Sequence, residues 1–372
     1  MKSLHIEEIS VRHFRNLARV DLRPSPRFNV VYGDNGQGKT NLLEAIYLAA
    51  TSRSFRTVKP GESVEHGADT ASVRTVLSEG ELRREQTVGL RAGQRLLKID
   101  GKRPATAAEY AIRTPAVLFH PGDLSLSMGA GSERRRLLDR VALYLLPASL
   151  GETLSYARAV RERQRALEMR GTEARDLEQW EELVVRHGLA VMAARRLAAA
   201  DLAASMSIAF TRIAAPDLVL SVEYAPSAPD DAEAYRRELE RNRRVDLKRR
   251  GASIGPHRDD LALGLQGHRM RGTASQGQHR AVVLALKAAE MDVIGGARGV
   301  RPILLLDDVS SELDRERTAS LFSFLREQQG QVFLTTTRRE LIETEKLPDA
   351  ATRERLDFAV SKGVISPSDE AS

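Results

Sequence analysis

Leu4, Ile6, Ile9 and Val11 alternate with polar residues, and the phase slips once, at Glu7-Glu8. A period of two turns one face of a strand inward, and a one-residue slip marks a β-bulge. Val20 and Leu22 predict a returning strand before the Pro24-Ser25-Pro26 turn, and residues 28–32 (FNVVY) are short and apolar enough for a buried strand. Over 39–50 the pattern becomes KTNLLEAIYLAA, with apolar positions at helical spacing, suited to a helix packed on a sheet. Strands are predicted at 72–77, 82–88 and 96–99, with Asp100-Gly101 as a hairpin turn.

After Gly131 the periodicity is helical. Ser132-Glu133 can cap a helix running through ERRRLLDRVALYLL until Pro147 stops it. Residues 150–169 and 176–210, rich in Ala, Leu, Glu and Arg, predict two further helices able to pair as an antiparallel hairpin. A strand-like run at 218–222 and a Pro-containing stretch at 226–231 precede a last charged helix. Strands at 260–265, 303–306 and 331–335 then alternate with helices over 278–294 and 318–328. The fold class is α/β: residues 1–130 and 251–372 form one discontinuous domain, and 131–250 a mainly helical insertion. Strands 28–32 and 303–306 are candidate neighbours in one parallel sheet despite their separation in sequence.

The chain has 372 residues, 42% hydrophobic and 29% charged, which excludes disordered and fibrous classes. No apolar run approaches the roughly 20 residues of a bilayer helix, and the N-terminus carries no secretory pattern. Cysteine is absent, which excludes disulfides, thiolate metal sites and thiol catalysis, and fits a cytoplasmic location. The net charge of +6 permits a polyanionic partner without requiring one. It is unevenly spread: 19 Lys+Arg against 14 Asp+Glu over residues 1–130, but 16 against 18 over 251–372.

Gly33-Asp34-Asn35-Gly36-Gln37-Gly38-Lys39-Thr40 matches GxxxxGK[ST] between a predicted strand and a predicted helix. Glycines let backbone N–H groups converge on a phosphate at the positive end of a helix. Lys39 is assigned to the β- and γ-phosphates, Thr40 to Mg²⁺, and Asn41 to the same nucleotide site. The strand-helix context weighs against a chance match in a Gly-rich turn. Asp307-Asp308 end the apolar run 303–306, at the sheet edge where ligands of α/β folds bind. Asp307 is expected to hold Mg²⁺ through water. Asp308 is expected to polarise an attacking water or take its proton. Paired acids after a strand can also be turn residues or caps, and Ser311-Glu312-Leu313-Asp314 can be a capping turn. Ser275 is a good N-cap for the helix that follows, and Gly277 would let an anion approach its first turn.

These strings together resemble the RecF family, within the ABC-type ATPase heads of the SMC class, over essentially the full length. Carrying the resemblance are Phe14-Arg15-Asn16, GDNGQGKTNLLEAI at 33–46, Ser54-Phe55-Arg56, FHPGDL at 119–124 and Arg134-Arg135. So do Leu138-Asp139, Tyr156, Arg163, Gly255, His257-Arg258-Asp259-Asp260, SQGQ at 275–278, LLLDDVSSELD at 304–314 and QVFLTTT at 331–337. The resemblance implies an ABC-type head with a helical arm and a slow, DNA-stimulated ATPase using ATP and Mg²⁺. It makes Ser275, Gln276 and Gly277 a signature contacting the γ-phosphate of ATP on the opposite subunit, Asp314 the D-loop, and Thr335-Thr336-Thr337, centred on Thr336, the switch. Three departures stand out. The signature is SQGQ and not LSGGQ, Asp308 replaces the usual Glu, and no glutamine near 119–124 serves as Q-loop. The shorter acid predicts slow turnover.

By the same resemblance, ATP joins two copies into a dimer that clamps DNA near gaps and single-strand/double-strand junctions. It then helps RecR, with RecO, load RecA in gap repair, replication and the SOS response. Arg158, Arg161 and Arg165 share one helical face and are candidate phosphate contacts; the competing reading is a solvated face paired with Glu162 and Glu168. Arg236, Arg237, Arg241, Arg243 and Arg244 read as solvated helix surface, and Asp259-Asp260 as structural or dimer-facing. At 5% aromatics a base-stacking platform is disfavoured. A transporter ATPase, a helicase and a clamp that binds ATP without hydrolysing it are the alternatives. The helical insertion and SQGQ weigh against the first, and the single phosphate loop against the second.

Overall fold

The computed structural model describes residues 1–91, 93–213, 218–308, 330–337 and 354–368. The chain forms two compact units, Met1–Asp123 with Ile294–Ser372, and Leu124–Val293. In chain order the first stretch carries β1 (Leu4–Phe14), β2 (Leu17–Leu22), β3 (Phe28–Tyr32), α1 (Lys39–Thr51), β4 (Thr70–Glu79), β5 (Leu82–Arg91), β6 (Gln94–Ile99), α2 (Ala107–Arg113) and β7 (Ala116–Phe119). The second unit holds α3 (Ser125–Met128), α4 (Gly131–Leu145), α5 (Ser149–Arg170), α6 (Leu177–Ile213), β8 (Leu220–Ala225), α7 (Ala232–Arg249), β9 (Asp260–Leu265) and β10 (His268–Arg269). Helix α8 (Gln276–Arg298) leads back to the first unit, which closes with β11 (Ile303–Leu306), β12 (Val332–Thr336), β13 (Arg355–Ser361) and β14 (Val364–Pro367).

Two sheets build the first unit. One is antiparallel, in the order β2-β1-β4-β5-β6; the other runs β14-β13-β3-β12-β11-β7, parallel except for β14. Helix α1 packs against strands of both sheets and buries residues around nearly its whole circumference, which is why its sequence is apolar well beyond one stripe. Leu42, Leu43, Ile46 and Leu48 join Ile9, Val11, Val73, Val88, Val31 and Phe333 in a single core. The slip at Glu7-Glu8 is a register shift between Ile6 and Glu8. Asp100 and Gly101 both take positive φ, 49° and 76°, as a tight hairpin turn needs.

In the second unit α5 and α6 pack together as the sequence predicts. Tyr156 and Ala159 meet Val184, Val185 and Met192, with Tyr235 and Leu239 of α7 closing the core. Buried Arg163 donates to Glu181 at 3.0 Å, to Asp246 at 2.7 Å and to the Leu239 carbonyl at 2.8 Å. Asp259 and Asp260 are structural. Asp259 accepts from Ser227 N–H, the Tyr224 hydroxyl and Arg195, while Asp260 takes both ends of the Arg134 guanidinium. Among the described residues, no helix is long and apolar enough to cross a membrane.

Four expectations change. Strands 28–32 and 303–306 are not neighbours: β12 lies between them, pairing β3 on one side and β11 on the other. The chain returns to the first unit at residue 294, not at 251, because β9 pairs with β8 and fastens residues 251–293 to the second unit. That unit also begins at Leu124, ahead of the predicted start at 131. The strand predicted at 218–222 occupies Leu220–Ala225, since β9 fixes its register from Leu220↔Leu265 to Ala225↔Asp260. Beyond these, β7, β10, β13 and β14 appear where no strand was predicted. The helix predicted at 318–328 lies outside the described residues.

Candidate nucleotide site

Strand β3 delivers the chain to Gly33 at the C-terminal edge of the parallel sheet, and the loop 33–38 turns it into α1. Backbone geometry requires glycine at two of these positions. At Gly33 (φ 150°) a Cβ would lie 2.4 Å from the Val360 carbonyl oxygen, and at Gly38 (φ 123°) 2.9 Å from Asn16 Oδ1. No side chain caps α1 and no acid sits in its first turn, so its leading N–H groups are left for an anion. Asp34, Asn35 and Gly36 are exposed.

Lys39 is buried at the helix start, its ammonium donating to the carbonyls of Gly33 at 2.6 Å and Asp34 at 2.9 Å. Burial pushes this ammonium below the usual lysine range, against the pull of Asp308, Asp307 and Asp34. The Thr40 hydroxyl reaches the Asp307 carboxylate at 2.9 and 3.0 Å, joining α1 to the end of β11 across the sheet edge. The Oδ1 of that carboxylate also accepts from the Thr335 hydroxyl of β12 at 2.9 Å. Thr335 in turn accepts from the Asp308 N–H at 2.7 Å. Asp308 holds φ at 48°, a left-handed conformation rare for a residue with a side chain and found disproportionately at functional sites. A serine/threonine hydroxyl beside a carboxylate is a hard-oxygen donor set of the kind Mg²⁺ takes along with water and phosphate.

Sequence reasoning passed over the residues that brace the loop. Asn16 donates to the Gln37 carbonyl at 3.0 Å and accepts from Asn41 at 2.7 Å. Gln37 is held from the far side, its side-chain oxygen by Lys362 N–H and its carbonyl by Gly363 N–H, both in the β13–β14 turn. One turn into α1, fully buried Glu44 accepts from Arg15 (3.1 and 2.8 Å), from the Ser54 hydroxyl (2.6 Å) and from Arg56 (3.4 Å). Arg56 also donates to Asn41 at 2.7 Å. The strings Phe14-Arg15-Asn16 and Ser54-Phe55-Arg56 therefore meet on α1, next to the phosphate loop. At the other border Asp307 N–H donates to the Phe119 carbonyl at 2.9 Å, and His120 stacks on Phe55.

The remaining predicted residues are placed as follows. Thr336 is fully buried in β12 opposite Tyr32, and its neighbour Thr335 touches the acidic pair. Ser275 and Gln276 are exposed at the start of α8 in the second unit, with Gly277 half-buried. Ser275 and Gln278 form a reciprocal cap: Ser275 N–H to Gln278 Oε1 at 2.8 Å and Gln278 N–H to Ser275 Oγ at 3.2 Å. Arg158, Arg161 and Arg165 are exposed on α5, and none forms an ion pair among the described residues; Glu168 instead accepts from Gln164. Arg237 and Arg241 are exposed and pair along α7 with Glu233 and Glu238, as on a solvated helix surface, whereas Arg243 instead reaches fully buried Glu181 of α6. Asp314 lies outside the described residues.

Residues 5–355 match the family described as RecF/RecN/SMC N terminal domain. The DNA replication and repair protein RecF of Anaeromyxobacter sp. (strain Fw109-5) is 42% identical over 96% of this chain and 98% of its own. That of Geobacter sp. (strain M21) is 35% identical over 96% and 98%. Among solved structures, the recombination mediator protein RecF-ATP in the RecFOR pathway superposes with a TM-score of 0.87 at 28% identity, covering 99% of this chain and 98% of that one. The Smc head domain from Pyrococcus furiosus shares the fold, at a TM-score of 0.54 and 16% identity over 98% and 96%.

Proposed function

We propose, from the premise that this chain belongs to the RecF family of SMC-like ABC-type ATPases, that it is an ATP-operated DNA clamp of replication and repair. One observation carries the reading: Lys39 and Thr40 of the phosphate loop converge with Asp307, just after β11, at one sheet edge. Lys39 exchanges the Gly33 and Asp34 carbonyls for β- and γ-phosphate oxygens. The uncapped N–H groups of the loop and of α1 cradle the β-phosphate. Thr40, and Asp307 through water, would hold Mg²⁺, which would supply charge to neutralise the phosphates. Asp308 orients the attacking water and receives its proton.

The second half of each site comes from another copy of the chain. Ser275, Gln276 and Gly277 sit at an exposed helix start with a favourable field for the γ-phosphate, so ATP bridges two subunits and hydrolysis weakens the bridge. The clamp is formed on DNA near gaps and junctions, with Arg158, Arg161 and Arg165 contacting phosphates. It acts with RecR and RecO to load RecA, including in SOS induction, and turnover is slow and raised by DNA. Sedimentation of the protein with and without ATP-Mg²⁺ and a gapped duplex tests the scheme. A dimer should form with ATP and persist on the duplex, whereas a monomer at every concentration under all four conditions would overturn it.

A further inference from the structure

The outer rim of the antiparallel sheet is built differently from the rest. Elsewhere on the sheet cations meet carboxylates: Arg12 with Asp21, Arg74 with Glu8 and Glu85, Arg83 with Glu7 and Glu8. At the free edge the matching stops. Residues 91–103 hold Arg91, Arg95, Lys98, Lys102 and Arg103 against a single acid, Asp100. The Asp100 carboxylate is engaged inside its own hairpin, accepting from Glu85 N–H at 2.7 Å. All five cations are exposed, and none meets a carboxylate among the described residues.

A sixth cation joins them from the helix layer. The Arg95 guanidinium reaches across to donate to the Ser52 carbonyl, the C-cap of α1. Exposed Arg53 is the next residue, close enough that its charge adds to burial in lowering the Arg95 pKa. Arg95 is thus anchored on the carbonyl of the residue preceding Arg53, and neither cation is ion-paired among the described residues. Such an arrangement is stabilised by an anion from outside. Charged residues on an edge strand also deter pairing with other strands. That role accounts for Lys98 on β6 but not for Arg91 on the neighbouring strand or for Arg53, just past the end of α1.

We infer that the β5–β6 edge, with Arg53 and Arg95 at its α1 end, is a second phosphate-backbone contact for duplex DNA, on the first unit and separate from the α5 arginines. The repeated charge suits a repeating polyanion, since a duplex presents about one charge per 1.7 Å of its axis. Leu96 is the one exposed large apolar side chain on β6, and the strand has no aromatic residue. Neither base stacking nor insertion into a membrane is provided for. Binding at this edge is therefore independent of sequence and sensitive to salt.

The inference rests on the DNA-clamp reading, and the test separates the two. Arg91→Gln, Lys98→Gln, Lys102→Gln and Arg103→Gln together remove four cations whose side chains make no hydrogen bond among the described residues. ATP titration of this variant should match the unsubstituted protein, which verifies its fold. Duplex affinity with ATP-Mg²⁺ is then measured from low to moderate salt. The slope of log affinity against log salt should fall by about 0.9 for each DNA phosphate that the variant no longer neutralises, with affinity at low salt down at least about tenfold. Failure of the unsubstituted protein to bind duplex would remove the clamp reading itself. Normal binding with an unchanged slope in the variant, while Arg158→Gln, Arg161→Gln and Arg165→Gln lower it, would overturn this inference alone. So would tight binding to phosphatidylserine vesicles that the four substitutions abolish while duplex binding persists.

Discussion

Single residues divide by burial more than by charge. Glu44 is completely enclosed and serves two arginines and a serine hydroxyl, whereas the Arg12–Asp21 pair lies open on the sheet. Glu44→Ala should cost about 3 kcal/mol or more in urea denaturation, because it strands Arg15 and frees the 52–63 segment. Arg12→Ala should stay within about 1 kcal/mol. Equal losses would mean that Glu44 does not organise this corner. At the acidic pair, Asp308→Asn keeps size and removes the base. Single-turnover ATP hydrolysis should fall at least about 100-fold, with the ATP-bound dimer living longer, and an unchanged rate would take Asp308 out of the chemistry. Lys39 and Thr40 were legible from the fixed spacing of the phosphate-loop pattern, and Asp307 from its place at the end of an apolar strand. The Glu44 cluster was not, because its partners at 15, 54 and 56 come from separate segments and share no periodicity.

Elements were read well where one face is apolar and poorly where burial is polar. In β13 the pattern is inverted: Arg355 and Asp357 are inside, bonded to each other at 2.7 and 2.9 Å, while Leu356 is half exposed. Hydrophobic alternation survives only at Phe358 and Val360, too short a run to announce a strand. The order β3-β12-β11 was equally hidden, since an apolar run declares burial but not its neighbour. In the second unit the junction of α5 with the 252–258 segment rests on a histidine. His257 Nε2–H donates to the Ala252 carbonyl at 2.9 Å, which leaves Nδ1 to accept from the Tyr156 hydroxyl at 2.7 Å. Burial holds His257 below the usual histidine range, opposed by its bond to Ala252 and reinforced by Arg258 and Arg135, with Asp259 pulling the other way. A depressed folded-state pKa means that the unfolded chain binds the proton more readily. The contribution is therefore complete above about pH 6.5 and disappears as pH falls through the folded value. Denaturation midpoints should drop between pH 7.5 and 5.5 more steeply for the unsubstituted protein than for His257→Gln. Parallel profiles would exclude His257 as the titrating group.

For the whole molecule, the discontinuous chain was legible and its point of return was not. A charged helix ending at Arg249 looks like a boundary, yet β8 and β9 are strand partners across it. That pairing carries Ser275 into the second unit, away in sequence from the phosphate loop it is proposed to serve in trans. Ser275 has a local role as well, since its hydroxyl caps α8. Ser275→Arg alone would confuse the two, because losing an N-cap costs about 1 kcal/mol at that helix. Ser275→Asp separates them: aspartate caps a helix as well as serine does, but sets a negative charge where the partner's γ-phosphate should lie. Both variants should bind ATP as monomers with unchanged affinity, unlike Lys39→Ala, which should bind it hardly at all. Sedimentation with ATP-Mg²⁺ should then find both monomeric, and Ser275→Asn, a neutral cap, dimeric. If Ser275→Asp dimerises normally, the anion is not gripped from this helix. If it loses ATP affinity while still a monomer, Ser275 serves the site of its own chain.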